Sequence, residues 1–227
     1  MKIGSYEFKQ GNSWAKVQTK DILSRLRKEI TIHSIIESNS RDALYGNLEQ
    51  MERQIELFNQ GSAALSLYDG RYYKGTRREY HRLVEDDSLI ASIRLLIQTE
   101  DIFERSDTVY ETNKEISSSG ETIEVENIGN TESPPIIILT AIGTIVEPSF
   151  TCGENTLLYS GTLVAGDVLN IDCDAKSAII NGTENVLFNT AGDFPLISPG
   201  ENLFAYEDDN TSSHKALLLI KHQDYWC

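Results

Sequence analysis

The side chains best suited to chemistry are scattered through this 227-residue sequence, not grouped. Four histidines, His33, His81, His214 and His222, form no HExxH or other close pair of the kind that zinc ligation uses. Three acidic clusters, Glu85-Asp86-Asp87, Asp172-Cys173-Asp174 and Glu207-Asp208-Asp209, lack the spaced oxygen-ligand pattern of an EF-hand loop. Loop carboxylates also bind calcium at irregular spacing, yet such clusters read first as solvated turns. No serine sits on a Gly-x-Ser-x-Gly elbow, and no cysteine is accompanied by a positioned base. Paired carboxylates of the glycosidase kind are a three-dimensional property that residue order does not reveal. No catalytic, cofactor-binding or metal-binding residue is therefore assigned, and no cofactor is expected.

Three cysteines, Cys152, Cys173 and Cys227, show no CxxC spacing, and their odd number leaves one unpaired in any disulfide scheme within the chain. Reduced, packed thiols are expected of a protein assembled in a reducing cytoplasm. The N-terminal MKIGSYEFKQGNSW carries no apolar signal segment, and no apolar run approaches the roughly 20 residues that a membrane-spanning helix needs. A formal net charge of -15 disfavours a surface built to collect phosphates, so specific nucleic-acid recognition is not expected. It is compatible with a channel wall past which DNA slides. The basic run Arg77-Arg78, near Lys74, His81 and Arg82, reads as a contact for an acidic neighbouring subunit more readily than for DNA. Tyr225-Trp226 reads as packing area in a core or an interface before it reads as a platform for a sugar. Asn181-Gly182-Thr183 and Asn210-Thr211-Ser212 match the glycosylation pattern but are read as turns.

The charge divides the chain: residues 1–126 carry 17 Lys+Arg against 22 Asp+Glu, and residues 127–227 carry 3 against 13. Between the halves, Ser117-Ser118-Ser119-Gly120 and Asn127-Ile128-Gly129-Asn130-Thr131-Glu132-Ser133-Pro134-Pro135 are rich in turn-forming residues. Two domains are expected, 1–127 and 128–227, with Glu121 to Val125 a short strand assignable to either side.

In the first half, Asn39-Ser40-Arg41-Asp42 opens a helix whose apolar positions Leu44, Leu48, Met51, Ile55 and Phe58 recur at spacings of four and three, with Gly61 as its stop. A single seam this short predicts a helix laid on a sheet. Strands are expected at Ile30 to Ile36, Ala64 to Tyr68, Arg71 to Thr76, Tyr80 to Glu85 and Leu89 to Thr99, with an Asp69-Gly70 turn between the second and third. The second half reads as short strands without helix: Ile136 to Ala141, Phe150 to Cys152, Thr156 to Tyr159, Val168 to Cys173, Ser177 to Ile180, Leu187 to Phe188, Glu201 to Tyr206 and Ala216 to His222. Asn181-Gly182 is a hairpin turn, and Gly166-Asp167 and Pro199-Gly200-Glu201-Asn202 are further turns. The pattern predicts a β-sandwich or jelly roll.

Four segments in fixed order carry a resemblance: Gly129 to Ile136, then Gly166-Asp167-Val168-Leu169-Asn170-Ile171-Asp172, the Asn181-Gly182 hairpin, and Gly192-Asp193-Phe194-Pro195-Leu196-Ile197-Ser198-Pro199-Gly200-Glu201-Asn202. With them, residues 128–227 resemble the C-terminal domain of the siphophage-type distal tail protein family. The first half resembles that family's N-terminal domain more loosely, through Asn59-Gln60-Gly61, Arg71-Tyr72-Tyr73 and Thr99-Glu100-Asp101-Ile102-Phe103. The family's frequent Asp-Pro-aromatic is replaced here by Asp101-Ile102-Phe103.

The resemblance implies a mainly β protein of two domains. The first is an N-terminal β-sandwich or split barrel with one α-helix, related to tail-tube subunits, and the second is a galectin-like C-terminal β-sandwich. It also implies a structural virion protein of the tail tip, a homohexameric ring with DNA passing through its lumen, assembled in the host cytoplasm. The implied partners are the tail-tube protein, the tail-tip hub protein, the tape-measure protein and receptor-binding or fibre proteins. Other readings are a tail-tube or fibre-attachment subunit, a carbohydrate-binding module and, last, a cell-wall hydrolase. The galectin signature of histidine, asparagine and arginine on one strand with a stacking tryptophan is missing. Inter-subunit pairing is expected from strands within 64–99, because ring closure covers sheet edges that a monomer leaves open.

Overall fold

The computed structural model describes residues 1–9, 12–22, 25–61, 63–84 and 89–227. Its contacts divide it into two compact units, 1–107 with Cys227, and 108–226. The acidic cluster at 85–87 and the end of the strand expected at Tyr80 to Glu85 lie outside the described residues.

The first unit is built on a four-stranded antiparallel sheet in the order Ser13–Ile22, Arg25–Glu37, Ile90–Thr99, Gly75–Val84. Alternation places Ile30, Ile32 and Ile36, with Ala91, Ile93, Leu95 and Ile97, on one buried face. The helix Arg41–Asn59 lays Leu44, Leu48, Met51, Ile55 and Phe58 onto that face, the five positions its periodicity predicts. Ser40 caps it by accepting from the Ala43 N–H at 3.2 Å, and Gly61 ends it at φ +75°. A small sheet of Tyr6–Glu7, Lys2–Ile3 and Leu65–Ser66 adds Ile3 and Leu65 to the same core. The Asp69-Gly70 turn forms, with Gly70 at φ +76°, but its arms are only two residues each, Leu65–Ser66 and Arg71–Tyr72. Leu65 and Tyr73 close it through a pair of backbone hydrogen bonds.

The second unit is a sandwich of two antiparallel sheets. One runs Tyr110–Ile116, Ala216–His222, Ile136–Ala141, Val168–Asp172, Ser177–Ile180, Glu184–Asn185. The other runs Glu121–Asn127, Gly200–Glu207, Ser149–Cys152, Asn155–Tyr159, Thr190–Gly192. Inward residues such as Leu139, Ile171, Leu218 and Ile220 from the first sheet meet Ile123, Phe150, Leu157 and Phe204 from the second. The hairpin turn at Asn181 (φ 51°) and Gly182 (φ 73°) has two positive φ angles, and Thr183 N–H donates to Ile180 C=O at 3.2 Å. One strand expectation fails: Leu187–Asn189 is a 3₁₀ turn, held by Asn189 N–H donating to Val186 C=O at 2.9 Å.

The boundary also differs from the expected 127/128. Tyr110–Ile116 pairs along its length with Ala216–His222, and Glu121–Asn127 pairs with Gly200–Glu207, so both strands belong to the sandwich. The turn-rich stretch that follows is no exposed linker. Asn127 and Ser133 are buried, and Ser133 and Ile197 exchange two backbone hydrogen bonds at 2.9 Å.

The turn between Tyr110–Ile116 and Glu121–Asn127 carries a testable acid. Glu121 accepts from Ser117 N–H at 2.8 Å, Ser117 Oγ at 2.9 Å and Ser118 N–H at 3.0 Å, with Lys114 Nζ at 3.1 Å. The Ser117 backbone bond leads in holding its carboxyl down at about 2. A depressed value means that the ionised form stabilises the fold above the ordinary 4.5, and that this contribution is lost as pH falls toward 2. Carboxyl NMR should find Glu121 still ionised at about pH 3. Glu121→Gln should cost below about 1 kcal/mol at neutral pH, because the group is partly exposed.

Candidate assembly interface

The residues that chemistry would recruit stay apart in three dimensions. The His33 ring stacks on Trp14 with centroids 5.1 Å apart, and His81 lies 3.7 Å from Glu79. Two histidine–aspartate pairs were not apparent in residue order, where only proximity hinted at them. His214 Nδ1 is 2.7 Å from Asp208 Oδ1, whose other oxygen accepts from the buried Tyr206 hydroxyl at 2.9 Å. His222 Nε2 lies 2.9 Å from the Glu126 carbonyl oxygen and 3.7 Å from Asp224 Oδ1, and burial pushes its pKa down. Among the described residues no hydroxyl or thiol hydrogen-bonds the second ring nitrogen of either histidine. Asp172 accepts from the Asp174 and Ala175 N–H groups, and Asp209 accepts from Thr211, so these acids serve their own turns. No group of three His, Cys, Asp or Glu among the described residues is placed to hold a metal ion.

Cys152 and Cys173 are buried and unpaired, whereas Cys227 is exposed. Burial, with the nearby Asp172 and Cys152, pushes the Cys173 thiol up to about 12. Alkylation of the native chain at about pH 8 should therefore label Cys227 fast and the other two only after unfolding.

What the first unit offers instead is two open sheet edges. Among the described residues, Ser13–Ile22 pairs only with Arg25–Glu37, and Gly75–Val84 pairs only with Ile90–Thr99. No described strand covers the outer edge of either ten-residue strand. The first is exposed from Trp14 to Lys20. The second carries a bulge between Arg77 and Glu79, a device that twists an edge and discourages casual pairing. Its basic run meets acids of its own subunit. Arg82 Nη1 lies 2.8 Å from Glu52, which also accepts from the Tyr80 hydroxyl at 2.8 Å; Arg77 lies 3.8 Å from Glu56; Arg78 bonds the buried Gln98 amide oxygen. Arg77 and Arg82 of this run thus reach the helix of their own subunit, and Arg78 reaches the neighbouring strand. The sheet face away from the helix is open and mixed in charge, with Lys16, Lys20, Arg27 and Arg94 beside Glu29, Glu37 and Glu79.

In the second unit the four segments singled out in the sequence bond to one another. Asp167 Oδ1 accepts from Asn181 Nδ2 at 2.9 Å, and Asn181 Oδ1 accepts from the Val168 N–H at 2.9 Å, tying the Gly-Asp turn to the Asn-Gly hairpin. Asn127 Nδ2 donates to the Ile197 and Thr131 carbonyl oxygens at 2.9 Å each, tying the first segment to the last. The sequence profile described as "Siphovirus-type tail component, C-terminal domain" matches residues 128–226. Residues 128–226 belong to that tail-component family.

This tail component is therefore a structural protein of a phage tail, and its place is the virion. A search of curated proteins by sequence finds no match. Among solved structures, the crystal structure of phage SPP1 Dit, described as a paradigm of the hub adsorption apparatus in phages infecting Gram-positive bacteria, matches 97% of this chain. The match covers 90% of that chain, with a TM-score of 0.59 and 10% sequence identity. At that identity the likeness speaks for the fold. The tail component's charge follows its two units closely. Residues 1–107 carry 16 Lys+Arg against 17 Asp+Glu, and residues 108–226 carry 4 against 18. Nearly all of the acidity lies in the sandwich.

Proposed function

We propose that the chain is a non-enzymatic distal tail protein, six copies of which close into a ring that joins the tail tube to the tail-tip hub. The two open edges of one sheet are the observation that carries this reading. With four antiparallel strands, the two edge strands run in opposite directions. A rotation axis preserves strand direction from copy to copy, so the Gly75–Val84 edge of one copy would meet the Ser13–Ile22 edge of the next antiparallel. Repetition gives a continuous antiparallel barrel with the helices outside and the open face toward a lumen through which DNA passes. Of the strands within 64–99, Gly75–Val84 alone is a long edge, since Ile90–Thr99 is paired on both sides.

The galectin-like sandwiches would then serve as attachment points for receptor-binding or fibre proteins, with the tube above, the hub below and the tape-measure protein in the lumen during assembly. Gold-labelled antibody against residues 108–226, applied to intact virions, tests the position. One cluster at the distal end of the tail supports the adaptor; label along the tube points to a tube subunit, and no label on the tail sinks both.

A further inference from the structure

Phe188 is 98% exposed, the most exposed of the large hydrophobic side chains in the described residues. Its backbone is nevertheless held on both sides. Val186 is buried and its N–H donates to Ala178 C=O at 2.9 Å; Leu187 N–H donates to Asn185 Oδ1 at 3.0 Å; the Thr190 hydroxyl donates to Leu187 C=O at 2.7 Å; and Ser160 N–H donates to Asn189 C=O at 2.7 Å. The turn therefore holds the Phe188 backbone in place and presents the whole ring to solvent. With the backbone already ordered, binding here orders only the two side-chain torsions of one ring, which suits an interface anchor.

The surroundings select the partner. No lysine or arginine occurs from Ser177 to His214, although exposed Lys176 lies two residues from the Ala178 that bonds Val186; Glu184 and Asp193 are exposed on either side of the turn. The unit as a whole is strongly acidic, so a second sandwich or an anionic lipid surface would be repelled. We infer that Phe188 anchors a second tail protein whose surface offers an apolar socket rimmed by lysine and arginine. This rests on the reading of the sandwich as an attachment module, and names its contact.

The test replaces the chain by Phe188→Ala or Phe188→Trp in phage-producing cells, and quantifies the proteins of purified tails by mass spectrometry at about 0.15 M and 1 M salt, where screening lengths are ~8 and ~3 Å. Each isolated chain is also assayed for ring formation and melting, which reads the ring separately. The expected result is unchanged melting and rings for Phe188→Ala, with one peripheral tail protein reduced about tenfold or more. Phe188→Trp should retain that protein, and wild-type tails should shed it at high salt. Complete tails from Phe188→Ala at both salt concentrations would overturn the inference. So would loss of rings or failure of the tail to form, because Phe188 would then act in assembly of the tail itself. Complete tails with weakened adsorption to cells would also overturn it, in favour of a cell-surface glycan.

Discussion

Of the two neighbouring variants Val17→Pro and Gln18→Pro, one is expected to abolish ring assembly while melting like the wild type. Along a strand, successive N–H groups point alternately to the two sides. In Ser13–Ile22 one side is paired with Arg25–Glu37, and the other faces the open edge. Proline removes the donor and is tolerated in a sheet where that donor was free. The variant that removes an inner donor should lose roughly 1–3 kcal/mol of stability. Its neighbour should stay within about 1 kcal/mol of wild type and run as a monomer. Thermal melting with native mass spectrometry reads both. If both proline variants keep rings, the edge is not the seam.

The second large effect is expected at Asn127, which is 1% exposed. Its side chain donates to the Thr131 and Ile197 carbonyl oxygens and accepts from the Gly129 N–H, each at 2.9 Å. Asn127→Ala removes all three bonds and leaves two carbonyl groups without that partner, so unfolding in urea should show a loss of about 3 kcal/mol. Gly129→Ala should be worse. A methyl there would collide with the Tyr225 carbonyl oxygen and sit 2.9 Å from its nitrogen, where only backbone movement relieves the clash. If Asn127→Ala unfolds at the wild-type urea concentration, the stretch is the loose linker that its composition resembles.

That stretch shows where residue order was legible and where it was not. The helix was fully readable, because five apolar positions and a serine cap repeat a local rule. Most sandwich strands were readable for the same reason, but Tyr110–Ile116, Glu184–Asn185 and Thr190–Gly192 were not among those expected. Asn127 to Pro135 misled because asparagine, glycine, serine and proline are equally suited to a solvated linker and to a segment whose polar groups are all bonded inside; only distant Ile197 and Asp224 decide between them. Phe188 misled in another way. An apolar pair reads as a buried strand, yet here Leu187 and Phe188 lie on a turn whose geometry Asn185 and Val186 set.

The edge strand Ser13–Ile22 was missed altogether. Its Ala15, Val17 and Thr19 alternate with Trp14, Lys16 and Gln18, but the large apolar Trp14 falls on the charged side and Val17 stands alone among small or polar neighbours, so neither side announces a core. The basic run at Arg77-Arg78 could not be placed from sequence because its partners, Glu52, Glu56 and Gln98, lie about 20 residues or more away along the chain. The absence of a catalytic reading had a simpler basis, since no motif joined the candidate residues.

The most direct measurement is the mass and shape of the full-length chain at micromolar concentration, by native mass spectrometry and negative-stain electron microscopy of one preparation. A ring subunit gives a closed species of six times the chain mass, seen as a ring with an open centre. A stable monomer at every concentration, with no rings on the grid, would contradict it.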